Sequence, residues 1–95
     1  MPAYVIVESE TIDAAVVEKY RAMATPTVTK YGGRYIARGA AIEAFEGEPS
    51  SRRVTMIEFP DMDAARQWYH SPDYAEALAV GKNGFKRRMI LAPGL

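Results

Sequence analysis

Few side chains in this 95-residue sequence have the chemistry to act on a small molecule, and they are scattered along it. The only histidine, His70, follows a tyrosine in "QWYH" (Gln67–His70). Histidine titrates near neutral pH and can move a proton, and the Tyr69 phenol beside it offers a ring face and a hydroxyl. These two are the candidate catalytic residues. Arg38 closes "RYIAR" and Arg53 is the second residue of "RRVTMIEF". An arginine presents paired donors that match a carboxylate. With Glu46 and Tyr20 they make a candidate ligand-binding set. A single histidine and no cysteine give neither a metal-ligand cluster nor a thiol nucleophile, so neither metal nor cofactor is expected. Two adjacent glycines in "KYGGRYIARG" (Lys30–Gly39) raise the alternative of a phosphate cradle. A cradle needs a strand, then glycines, then a helix N-terminus. Here the helical pattern comes first, and its C-terminal end carries partial negative charge. Gly32 is therefore expected to end a helix in the left-handed conformation.

These residues depend on the elements that carry them. Ala3–Glu8 is short and β-branched and reads as a buried strand. Asp13 is placed to cap a helix on which Val17, Tyr20, Ala24, Val28 and Tyr31 share a face, with a kink or short break expected near Thr25 because of Pro26. A second strand covers Arg34–Arg38, and Ile42–Glu46 extends it by alternation. Gly47–Ser51 is a turn, and Arg52–Phe59 a third strand. Asp61 caps a second helix, and Ser71-Pro72 starts a further helical segment, serine as cap and proline in the first turn. Gly81 and Gly84 bracket the exit to a last strand, Phe85–Ala92.

The order β-α-β-β-α-β predicts an α+β protein, a ferredoxin-like sandwich over residues 1–95 with an antiparallel sheet of order 4-1-3-2 and the helices on one face. The strands contradict a bare second face. Tyr4 and Ile6 alternate with Val5 and Val7, and Val54 and Met56 with Thr55 and Ile57, so both faces are apolar at their centres. A second copy of the chain is the expected cover, making a homodimer. Glu58 shares the apolar parity of Val54 and Met56 and needs a partner or a raised pKa there. The topology gathers the ends of strands one and two with the starts of strands three and four. That rim is expected to hold Glu8, Arg38, Arg53, Arg87, Tyr20, Tyr69 and His70, joined by Glu46 if its segment folds back, with Glu8 and Arg53 available as a cross-strand ion pair.

Twelve basic and twelve acidic residues balance, which argues against nucleic acid as a partner. The first ten residues do not read as a signal peptide, and no apolar run approaches the roughly 20 residues of a membrane span. A cytoplasmic protein without membrane contact is expected.

"KYGGRYIARG", "RRVTMIEFP" and "AARQWYHSPDY", in this order and spacing, resemble the domain-of-unknown-function family 1330 from Pro2 almost to the C-terminus. That family is similar to the dimeric α/β-barrel superfamily, in which two ferredoxin-like sheets pair into one barrel and which includes cofactor-independent monooxygenases, haem-degrading enzymes and muconolactone-type isomerases. The resemblance implies that dimeric barrel and no particular activity. At His70 the family more often has Asp or Asn, so no role requiring a carboxylate there carries over. The expectation is a small protein that binds or transforms a small anionic or aromatic organic molecule in a pocket. The alternative is a non-catalytic homodimeric structural or interaction domain.

Overall fold

The computed structural model describes all 95 residues. The elements run β1 (Ala3–Thr11), α1 (Ala14–Lys30), β2 (Arg34–Ala41), β3 (Arg53–Phe59), α2 (Met62–Tyr69), α3 (Pro72–Gly81) and β4 (Phe85–Pro93). The strands form one antiparallel sheet ordered β2-β3-β1-β4, which is the ferredoxin-like order the sequence predicts.

The helix boundaries follow local chemistry. The Asp13 carboxylate accepts from the backbone N–H groups of Ala15 and Val16, Asp61 from that of Ala64, and the Ser71 hydroxyl from that of Tyr74. Each cap satisfies donors that the first turn leaves unpaired, worth about 1 kcal/mol. Pro26 does not break α1, which runs from Ala14 to Lys30 as one helix. Gly32 follows the cap residue Tyr31 with φ of +84°, a left-handed value that glycine adopts without steric cost. "YGG" is a helix terminus that launches β2, in keeping with the sequence. Ile42–Glu46 does not extend that strand. Residues 42–52 have no regular structure, and Phe45 within them is 93% exposed.

The core lies between the sheet and the helices. Val5, Val7, Ile57 and Phe59 meet Ala24 and Val28 of α1, Ala65 and Trp68 of α2, and Tyr74 and Ala77 of α3. The Trp68 indole N–H donates to the Thr27 hydroxyl at 3.0 Å, and that hydroxyl donates to the Ala24 carbonyl, so α1 and α2 are joined inside the core. The opposite sheet face carries no helix. There Met56, Ile6 and Ile90 stand side by side in register, flanked by the Arg34–Glu58 ion pair at 3.1 Å, which supplies the partner Glu58 requires. The accessible surface is 6305 Å², whereas a folded monomer of this mass exposes about 5,400 Å².

Candidate functional site

The site is set by an irregularity in β2. Arg34 lies opposite Glu58, and Tyr35 opposite Ile57. Strict alternation would put Arg38 on the open face with Arg34. The register instead slips between Tyr35 and Ala37 and again between Ala37 and Ala40. Each extra residue turns the rest of the strand to the other side. Gly39, at φ +58°, sits in the second slip and donates its N–H to the Thr55 hydroxyl. Arg38 thereby faces the helix side. Its guanidinium lies 3.9 Å from the Tyr35 ring centroid and donates to the Thr25 hydroxyl of α1.

Under α1 at this end of the sheet lies a cleft of about 70 Å³. Arg21 and Arg38 stand exposed at its mouth and Arg87 lies deeper, with Ser9, Thr11, Tyr20, Tyr35 and Thr55 adding polar groups among apolar walls. No carboxylate lines it, and none of the three arginines forms an ion pair in the chain.

Arg87 is held by two phenols. It donates to the Tyr20 hydroxyl at 3.1 Å and to the Tyr74 hydroxyl at 2.7 Å, and the two hydroxyls lie 2.6 Å apart. Its cation also lies 4.1 Å from the Phe85 ring centroid and 5.1 Å from that of Tyr20. Burial works against the Arg87 charge, but the adjacent Tyr20 and Tyr74 oxygens outweigh it and raise its pKa. Gly81 makes room for the arrangement, since a Cβ there would come within 2.6 Å of the Tyr20 ring. Tyr74 is fully buried. Burial, then the neighbouring Tyr20, pushes its phenol far above the ordinary value of 10, with Arg87 opposing. The folded chain thus keeps a proton that the unfolded chain releases near pH 10. The stability this represents is present below pH 10 and is lost as pH rises above it. Unfolding free energy is expected to fall above pH 10 with a contribution from Tyr74 of up to about 1.4 kcal/mol per pH unit. Urea titrations at pH 8 to 11 should show a shallower fall for Tyr74→Phe; parallel curves would assign the loss to other groups.

Tyr69 and His70 are not in this cleft. They line a second, more apolar cleft of about 210 Å³ with Arg66, Val5, Ile90 and Leu91. The His70 ring stands perpendicular to Tyr69, centroids 5.3 Å apart, and no acid lines the cleft. Trp68 forms part of the wall of both. The expected single rim fails here because α2 has only eight residues, a rise of about 12 Å. It ends partway along the sheet beside Val5 and Leu91, and α3 carries the chain the rest of the way. Arg53 is exposed opposite Ser9 and Ala41 and lines neither cleft, and Glu46 is exposed in the irregular segment and also lines neither. Glu8 faces Val54 and Arg88 in register, one residue out of step with Arg53, so they form no ion pair. Of the six candidate residues, Arg38 and Tyr20 come together on the first cleft. Arg87, expected on the same rim, lies with them. Arg21 and Tyr74 carried no signal of a site, one reading as a surface charge and the other as core. No group of three or more metal-ligating side chains converges anywhere in the chain, and no helix is long and apolar enough to cross a membrane.

The profile of the family described as domain of unknown function DUF1330 matches residues 2–95. No curated protein matches the sequence. Among solved structures, a protein of unknown function from Rhodopseudomonas palustris is similar at 18% identity and a TM-score of 0.80, covering 99% of this chain and 82% of that one. SnoaB, a cofactor-independent oxygenase from Streptomyces nogalater, is similar at 13% identity and 0.72, covering 99% and 93%. A dimeric ferredoxin-like protein of unknown function from Jannaschia sp. CCS1 is similar at 11% identity and 0.65, covering 99% and 100%. At these identities the likeness is one of fold.

Proposed function

The chain belongs to this family of unknown function, and we propose that it binds or transforms a small organic anion in the cleft under α1, as a homodimer paired through its open sheet face. The observation that carries the reading is three arginines on one cleft that no carboxylate enters. In a chain of zero net charge, cations left without acids in a half-enclosed, partly aromatic cavity favour a ligand that brings the negative charge itself. The pairing is supported by the apolar row Met56–Ile6–Ile90, by the surface excess of the lone chain, and by the dimeric state of the Jannaschia relative. A second copy would complete the dimeric α/β barrel.

Calorimetry with a panel of small carboxylates tests the anion site. Wild type is expected to bind at least one of them, and Arg38→Ala to weaken it about tenfold or more, the loss of a charge-assisted contact. His70→Ala, on the other cleft, is expected to leave that affinity unchanged. A carboxylate that binds equally to Arg38→Ala but weakly to His70→Ala would move the function to the second cleft, where Tyr69 and His70 supply a phenol and an imidazole. A panel that binds nowhere, to a dimeric protein, would favour the non-catalytic homodimeric domain.

A further inference from the structure

The hydrogen-bond chain at the floor of the first cleft has a direction, and the direction selects a ligand. Tyr74 is fully buried, and its hydroxyl has two partners, Arg87 and Tyr20. Arginine only donates. The Tyr74 proton therefore has one acceptor available, the Tyr20 oxygen, and a buried hydroxyl left without an acceptor would be costly. The Tyr20 oxygen then accepts twice, from Tyr74 and from Arg87. Its own proton is left with no acceptor in the protein, on a side chain that lines the cleft. Two accepted bonds, one from a cation, polarise this hydroxyl and strengthen it as a donor. The cleft thus presents two different demands: guanidinium groups at the mouth for a carboxylate, and at the floor a directed O–H for an oxygen that can accept.

We infer that the cleft recognises a short 2-oxo carboxylate, its carboxylate held at the Arg21–Arg38 mouth and its carbonyl or enolate oxygen accepting the Tyr20 proton. The inference rests on the anion-binding reading above and specifies its ligand. Size limits the choice. A cavity that holds benzene measures about 150 Å³, twice the 70 Å³ found here, so the enclosed part of the ligand is two or three carbons rather than a ring. A simple carboxylate would satisfy the mouth and leave the Tyr20 proton unpaired. Inorganic phosphate would meet the charge but not the planar, two-part pattern.

Calorimetry on the intact protein with pyruvate, propionate and inorganic phosphate decides it. Pyruvate is expected to bind about tenfold more tightly than propionate, and more tightly than phosphate. Tyr20→Phe, with its fold checked by circular dichroism, is expected to bring pyruvate down to the propionate level while propionate itself is unchanged. Equal binding of the two acids by wild type, a preference for phosphate, or a pyruvate preference that survives Tyr20→Phe would each overturn the inference. If Tyr20→Phe does not fold, the wild-type ratio of the two acids is the deciding result. Both acids binding equally, and both weakened in Arg38→Ala, would defeat this ligand assignment and leave the anion site standing. Neither acid binding wild type would defeat the assignment, and binding of no carboxylate at all would defeat the anion site as well.

Discussion

Trp68→Ala is expected to remove about 3–5 kcal/mol of folding stability, the cost of emptying a buried indole. A domain of 95 residues holds roughly 5–14 kcal/mol in total, so the variant should be marginal. Trp68 is 1% exposed, with its ring 4.3 Å from that of Tyr74 and 5.4 Å from that of Phe59. Its N–H reaches Thr27 across the helix layer. With Met89 it lines both clefts, so its loss should enlarge the space between them. Urea unfolding followed by circular dichroism measures the first effect. Trp68→Phe, which keeps most of the ring, should lose far less. A loss under about 1.5 kcal/mol for Trp68→Ala, within the range of volume-conserving core swaps, would mean that the core collapses around the gap.

Ile6→Lys is expected to abolish the proposed pairing through the open sheet face. Ile6 stands in register with Met56 on one side and Ile90 on the other, at the middle of the helix-free face. Closing a second sheet over that row would place two lysines, one from each copy, against apolar surface with no acid in the row. An uncompensated buried charge costs about 3–5 kcal/mol, equivalent to a hundredfold or greater rise in the dimer dissociation constant. Light scattering at micromolar concentration should report twice the chain mass for wild type and the single mass for the variant, with the helix-side core unaffected. A wild-type monomer, or a variant that still dimerises, would show that the open face is not the contact.

Where residues act on near neighbours, the sequence was legible. Asp13, Asp61 and Ser71 cap the helices they precede, Gly32 takes its left-handed turn, and the strand order follows from the element order. The candidate site was legible in part, because it depends on two things that periodicity does not encode. One is the first register slip in β2, between Tyr35 and Ala37, which turns Arg38 to the helix side against the alternation of its own strand. The other is how far each helix reaches. The "QWYH" segment reads the same whether its helix spans the sheet or stops midway, and stopping midway separates His70 from Arg38. Tyr74 is a third case. Its spacing marks it as core, and it is core, but the partner that gives its hydroxyl a role lies 54 residues away in sequence.

The neighbouring arginines of β4 point to opposite faces of the sheet, and this sets which changes of sequence the strand can absorb. Arg87 faces Ser9 on the cleft side, and Arg88 faces Glu8 on the other. Along β1 and β4, alternate positions therefore face different surroundings, one set the cleft under α1 and the next the helix-free face. Point substitutions can adjust either set while leaving the other in place, so the proposed ligand site and the proposed pairing face can change independently of one another. Insertions and deletions have no such freedom. Losing a single residue between Phe85 and Met89 would exchange the two sets over part of the strand, sending Arg87 outward and bringing Lys86 or Arg88 toward the phenols in its place. Length variation in this family should accordingly concentrate in the irregular stretch from 42 to 52, where no residue has a face to keep.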